Sequence, residues 1–248
     1  MARFGKRQAI SSPLSPWPTT TQQAPVTGGT RTAQVYRALQ ADIVEGRLQP
    51  GEKLGMHRLC ELYAVGLSPL REALSRLLTE GLVTLEGHRG FSVAVVTEAG
   101  IRDLARVRTM VECEAFSDAI AHGDDAWESE VVAAFHRLAR ATERVLATPE
   151  EGPGAWEQPH REFHAALAAG CPSPLLLSLR EGLDRRARFH RLAVVNLVPG
   201  GRDHLAEHRA LMEAALARDA KRGTALLAEH LLLTTEAICA SLSRRAVA

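Results

Sequence analysis

The stretch from Pro69 to Val96 changes its period at one glycine. Before Gly81, in PLREALSRLLTEGLV, the residues Leu70, Ala73, Leu74, Leu77 and Leu78 recur at helical spacing; after it, LVTLE and FSVAVV are apolar, β-branched runs separated by GHRG. A helix followed directly by a hairpin is therefore predicted. Ser68 is placed to cap the helix and Pro69 to fill its first position, where a missing N–H costs nothing, and Gly81 is placed to end it. Upstream, Val35, Leu39, Ile43 and Val44 form one stripe of a helix running from Thr32 to Glu45 and Gly46. GRLQPGEKL then reads as a turn, and His57 to Tyr63 as a short second helix broken by AVGLSP. Helix, helix, turn, helix, hairpin is the order of a winged helix-turn-helix.

The rest of the chain has another character. From about Thr97 to Ser241 no strand signal occurs, and six helical segments are expected at 98–121, 125–147, 155–170, 173–195, 202–218 and 221–241, separated by HGDD, TPEEGPG, GCPSP, VPGG and ARDAKRG. Residues 1–30 are rich in Ser, Thr, Pro, Gln and Gly and hold no acid, the composition of a disordered arm in which Arg3, Lys6 and Arg7 are solvated, contact with a phosphate backbone being the alternative. The expected organisation is an arm (1–30), a winged head of three helices and a hairpin (31–96), and an all-α six-helix bundle (97–248), a mainly α fold. With 248 residues and 46% hydrophobic content, each of the two domains can have its own core.

Composition excludes several classes. The four cysteines, Cys60, Cys113, Cys171 and Cys239, stand far apart with no C-x-x-C pair, against a disulfide framework or a thiolate zinc site. No apolar run long enough to cross a bilayer is read, and MARFGKRQAISSPLSPWP lacks the hydrophobic core of a signal peptide. A cytoplasmic protein with no membrane partner is expected. Net charge is +1, unevenly spread: residues 1–96 hold 11 Lys and Arg against 7 Asp and Glu, a balance of +4, and the remainder 19 against 22, a balance of −3. The positive end suits a polyanion.

A recognition helix holds one face to its core and turns a polar face to the major groove. With the leucines of the 69–81 helix buried, Arg71 and Ser75 fall opposite, with Arg76 nearby; His88 and Arg89 sit at the hairpin tip beside Gly87 and Gly90. The run IVEGRLQPGEKL…LCELYAVGLSPLREALSRLLTEGLVTLEGHRGFSVAVV resembles the DNA-binding domain of the GntR family of bacterial transcription regulators, in its G-x-L-x-P-G turn, P-x-R-E-A-L helix start, E-G-L-V helix end and R-G-F wing. The resemblance implies a homodimer on a short palindromic double-stranded operator. Candidate contacts are Ser68, Arg71, Ser75, Arg76, His88, Arg89 and Gly90. The family usually has Ser-Arg-Thr before the proline, where this chain has Gly66, Leu67 and Ser68, so an arginine that commonly touches DNA is replaced by Leu67.

Four of the ten histidines stand out. His160 and His164 lie one turn apart on one helix face, within reach of one ion, and His208 and His230 stand among apolar neighbours on the last two helices. Residue pattern alone leaves a metal site and carbonyl-paired core histidines both open. The bundle resembles the FCD ligand domain of the FadR-like branch, many members of which hold a divalent metal on an Asp and three His, often with a small organic acid. HREFH, EHRAL and EHLLL match in order, and six helices place the chain with the VanR-like subgroup. The matching ligands are His160, His164, His208 and His230. His160 stands where the family usually has Asp, which moves preference from Mg or Ca toward Zn or Ni. Because Pro159 reads as a first-turn residue, the role of His160, a substitute role for Glu157, and a site of three histidines all stay open. RDLARVRTMVECEAF matches the segment whose arginine binds effector carboxylate, which points to Arg108; an exposed i, i+4 pair with Glu112 is the alternative. The expectation is a regulator responsive to a small carboxylate, with a pure metal sensor as the alternative. A metal-dependent hydrolase is disfavoured, because no H-E-x-x-H, nucleophile elbow or poised carboxylate pair accompanies the histidines.

Overall fold

Helix α3 (Leu67–Thr79) is built on the leucine stripe: Leu70, Ala73, Leu74 and Leu77 are all buried. In the computed structural model, which describes residues 30–44, 46–87, 90–148, 154–194 and 203–247, this stripe packs on α1 (Arg31–Val44) and α2 (Met56–Leu62) through Val35, Leu39, Ile43 and Leu59. Gly81 ends the helix in the left-handed region, φ +75. Its N–H donates to the Leu78 carbonyl and that of Leu82 to the Leu77 carbonyl, the paired bonds of a Schellman motif.

The start of α3 corrects the sequence reading. The helix begins at Leu67, Gly66 is its extended N-cap, and Ser68 lies exposed within the first turn rather than capping it. Proline is as harmless at the third helical position as at the first, because none of the first-turn N–H groups has an intrahelical acceptor. The wing follows as predicted, an antiparallel pair of β1 (Val83–Leu85) and β2 (Phe91–Val93) in register Val83 to Val93, Thr84 to Ser92 and Leu85 to Phe91. The segment read as a plain turn also joins this sheet. Lys53 bridges Ser92, the Gly51 and Leu54 N–H groups donate to the carbonyls of Val93 and Phe91, and Val93 N–H donates to that of Glu52. GEKL has no β-branched run to signal it. Residues 1–29 of the arm and the wing tip, His88 and Arg89, lie outside the described residues.

The bundle comprises α4 (Glu98–His122), α5 (Asp125–Ala147), α6 (Gly154–Ala168), α7 (Pro174–Val194), α8 (His204–Leu216) and α9 (Ala220–Val247). The side chains of Thr97, Asp124 and Asp203 accept N–H groups at the starts of α4, α5 and α8. Helix α4 runs through the middle, against α6, α7 and α9. Where α4 and α6 end, Gly123 and Gly170 touch: a Cβ on Gly170 would stand 2.9 Å from the Gly123 Cα and from the Ala119 oxygen. By length and composition, Ala220–Arg244 of α9 is apolar enough to cross a membrane, contrary to the sequence reading. Its Leu227, Leu231 and Ile238 are buried within the bundle, so that apolar face serves the core.

Helix α7 ties the bundle to the head. Phe189 is 3% exposed and belongs to the head's core, and Arg186 Nη2 donates to the carbonyl of Thr79, the last residue of α3, at 3.4 Å.

Candidate metal centre and DNA-facing helix

His160 and His164 come from α6, His208 from α8 and His230 from α9, all four buried. One nitrogen from each lies within 4.8 Å of the others. The remaining contacts set which nitrogen that is. His208 Nδ1 sits 2.5 Å from the His204 carbonyl and His230 Nδ1 sits 2.8 Å from Glu207 Oε2, so Nε2 is the nitrogen each leaves for an ion. A carbonyl or carboxylate behind a coordinating imidazole fixes its tautomer and raises its basicity. His160 Nδ1, His164 Nε2 and His208 Nε2 are buried with no hydrogen-bond partner among the described residues. Three orphaned acceptors converging in one space fit a cation better than a packed core, where such groups find partners. Burial, and then the neighbouring imidazoles, hold His160, His164 and His208 well below the ordinary histidine range, so they are neutral, the state a metal ligand needs.

His160 is not near a frayed helix start. Helix α6 begins at Gly154 and takes Pro159 into its interior, and His160 is held under Trp156, with ring centroids 4.3 Å apart and planes 21° from parallel. Trp156 is fixed in turn by its Nε1–H, which donates to Thr142 Oγ1 at 3.0 Å. Glu157 is not brought to the group; its Oε1 accepts from Arg191 at 2.6 Å.

Beside the histidines lies a buried ionic network. Arg108 does pair with Glu112, at 3.2 Å, but inside the bundle rather than on an exposed face, and it also reaches Asp184 at 3.5 Å. Arg180 donates to Glu112 at 2.7 Å and Arg161 to Asp184 at 2.8 Å. Burial alone would push the Asp184 carboxyl up, yet Arg108, Arg191 and Arg161 together hold it well below the usual carboxylate range. A cleft of about 30 Å³ between α4, α7 and α9 is lined by Arg108, His190, Arg191, Leu231, Thr234 and Thr235. Burial and then Arg191 push His190 down to about 4. The sequence reading missed Arg180, Asp184 and Arg191. Their signal was present, since they occur with Ala187 at helical spacing on the face where α7 should have been apolar.

On the head, Ser68, Arg71, Ser75 and Arg76 are all exposed on α3, opposite the buried leucines. Arg71 is not packed inward. The Arg76 guanidinium lies 4.1 Å over the Tyr36 ring, and the Tyr36 hydroxyl, pushed up to about 12 by burial and by Glu80, donates to that carboxylate at 2.8 Å. Leu67 is 56% exposed at the helix start. Gly90, beside the wing tip, takes φ +83.

An exposed arginine-bearing helix and wing, joined to a helical bundle with a buried histidine group, define a DNA-binding regulator with a ligand domain. The model of bacterial regulatory proteins of the gntR family matches residues 31–93, and that of the FCD domain matches residues 103–233. The chain is 40% identical to the HTH-type transcriptional regulator BphR of Paraburkholderia xenovorans (strain LB400), over 79% of this chain and 80% of that protein. It is also 40% identical to the HTH-type transcriptional repressor GlaR of Escherichia coli (strain K12), over 79% and 90%. Its fold is shared with E. coli McbR/YncC, TM-score 0.65 at 22% identity, over 85% of this chain and 98% of that one. The chain belongs to the GntR family: it is a DNA-binding transcription regulator with an FCD ligand-binding domain, and not an enzyme.

Proposed function

We propose that this regulator holds a divalent ion, zinc or nickel before magnesium or calcium, on His160, His164, His208 and His230, and that a small organic acid bound beside it sets its grip on DNA. The observation that carries this reading is the group of four buried imidazoles with three orphaned nitrogens. Four nitrogen donors suit borderline ions better than oxygen-seeking ones. When bound, the ion supplies a Lewis-acidic anchor for a carboxylate oxygen. Glu207 and the His204 carbonyl orient two ligand rings, Trp156 holds a third, and Arg108 at the cleft offers a cationic partner to the acid. On the head, Ser68, Arg71, Ser75 and Arg76 with the wing residues His88, Arg89 and Gly90 meet the operator, two heads of a homodimer gripping a palindrome in the cytoplasm. A ligand shifts this grip only by its differential affinity for the two arrangements of the heads, about 1 to 3 kcal/mol in typical coupled systems.

A narrower reading, the metal alone as signal, draws support from the small cleft, whose 30 Å³ admits a water rather than an acid. Native mass spectrometry of the purified protein tests both by weighing bound metal, co-purified acid and subunit number. Changing His164, His208 and His230 together to Ala is expected to abolish tight divalent binding; full metal retention in that variant overturns the proposal. Thermal shift of the metal-loaded protein with small carboxylates separates the two readings, because a bound acid raises the melting temperature by mass action.

A further inference from the structure

Resting on the reading above in which the exposed face of α3 meets the operator, we infer that Leu67 is a specificity residue that reads the 5-methyl group of a thymine in the major groove. Helix α3 turns its apolar side chains inward with one exception. Leu70, Ala73, Leu74 and Leu77 are 0% exposed, whereas Ser68, Arg71, Ser75 and Arg76 are exposed and polar. Among the described residues exposed on this helix, Leu67 is the one that is apolar, open to solvent at 56%. Singly exposed leucines are ordinary on a protein surface, so its position is what matters. Leu67 is the first residue of the helix, and Arg71 and Ser75 follow it at i+4 and i+8 on the same face.

The neighbouring exposed groups differ in what they already hold. Glu72 accepts the Thr32 hydroxyl at 3.0 Å, the Arg76 guanidinium lies over Tyr36, and the Thr79 hydroxyl turns back to the Ser75 carbonyl. Arg71 has no acceptor among the described residues. No side chain caps the helix start at Gly66, so the Leu67 and Ser68 N–H groups have no intrahelical acceptor. What is left for a partner is a leading edge of Leu67, Ser68, Arg71 and Ser75. Its N–H groups suit phosphate oxygens, and Arg71 suits a phosphate or a guanine. Leu67 suits neither. Pressed against a guanine or cytosine edge, a leucine strips water from polar atoms and returns no hydrogen bond. The one apolar group that base pairs offer in the major groove is the thymine methyl. Helical side chains lean toward the N-terminus, which sets Leu67 at the leading end of α3, the end that meets base edges in a helix-turn-helix.

The test selects duplexes from a synthetic, unmethylated random library with the full-length protein, so thymine is the only source of the methyl. Selected sites are expected to hold a thymine at one position of each half-site. Deoxyuridine in its place removes the methyl and keeps every hydrogen-bonding group. Fluorescence anisotropy is expected to show about fourfold weaker binding per replacement, the effect of burying one carbon. In Leu67→Ser, an exposed substitution expected to leave helicity and melting temperature unchanged, that ratio is expected to fall to near unity. Arg71→Ala is expected to bind more weakly overall and to keep the fourfold ratio. Reselection with Leu67→Arg is expected to exchange the thymine for guanine. No deoxyuridine-sensitive position in the wild type, the same ratio in Leu67→Ser, or retention of thymine by Leu67→Arg overturns the inference. If no position responds and Arg71→Ala also binds with unchanged affinity and salt slope, the reading of α3 as the DNA-facing helix falls with it.

Discussion

What stands behind a histidine decides which of its nitrogens can face an ion. His208 and His230 each have a hydrogen-bond acceptor behind Nδ1, and His160 has the face of Trp156. HREFH, EHRAL and EHLLL are legible in the sequence as one turn of spacing and two apolar neighbourhoods. Glu207 is not, because its relation to the His230 ring is made across two helices, whereas Trp156 stands one turn before His160 on the same helix. The same burial predicts a pH dependence. His160, His164 and His208 are neutral in the fold, their pKa values depressed below the unfolded value of about 6.5. Above that pH neither state is protonated and stability is complete. As pH falls below it, the unfolded chain takes up protons the fold refuses, and metal-free protein loses up to about 1.4 kcal/mol per group per pH unit. Thermal unfolding of metal-free protein at pH 7.5, 6.5 and 5.5 is expected to show a falling melting temperature, whereas a flat profile would mean that these rings are not held neutral.

At the level of elements, α3 and α7 divide the work. Helix α3 presents a serine and arginine face because its leucines leave no other solution, and that partition is readable from spacing alone. Its start was misread by two residues, since Ser68 and Pro69 are compatible with more than one first-turn position and only the Gly66 backbone decides. On this helix Arg71 is exposed, while Arg76 is stacked on Tyr36. Arg71→Ala is therefore expected to weaken operator binding and to lower the slope of log affinity against log salt by about one, without a change in melting temperature. An unchanged slope in fluorescence anisotropy titrations would take this helix face out of the interface. Helix α7 carried the least legible function: its charged residues look like a solvated face until α4 and α6 cover them.

In the whole molecule, α7 joins two sites that the sequence treats separately. Asp184 and Arg191 belong to the ionic network and cleft, and Phe189 and Arg186, on intervening turns, belong to the head. Under the proposed function, a movement of α7 at the cleft is expected to reach the end of α3 through these two contacts. Phe189→Ala removes a buried ring from the head core and is expected to cost about 3 to 5 kcal/mol. In the folded variant at low temperature, operator affinity should cease to respond to ligand while metal binding persists. A ligand response of wild-type size would place the coupling in another element.

The sequence by itself determined the order of the elements, the polar face of α3 and the hairpin after it, and the four histidines that stand out, because each of these follows from local period, turn chemistry or spacing along one chain. Tertiary structure alone decided that Glu207 stands behind His230, that Glu157 and Asp184 answer to arginines, and that α7 reaches into both halves of the molecule. These facts depend on which faces of distant helices meet, and no periodicity within a helix records its neighbour.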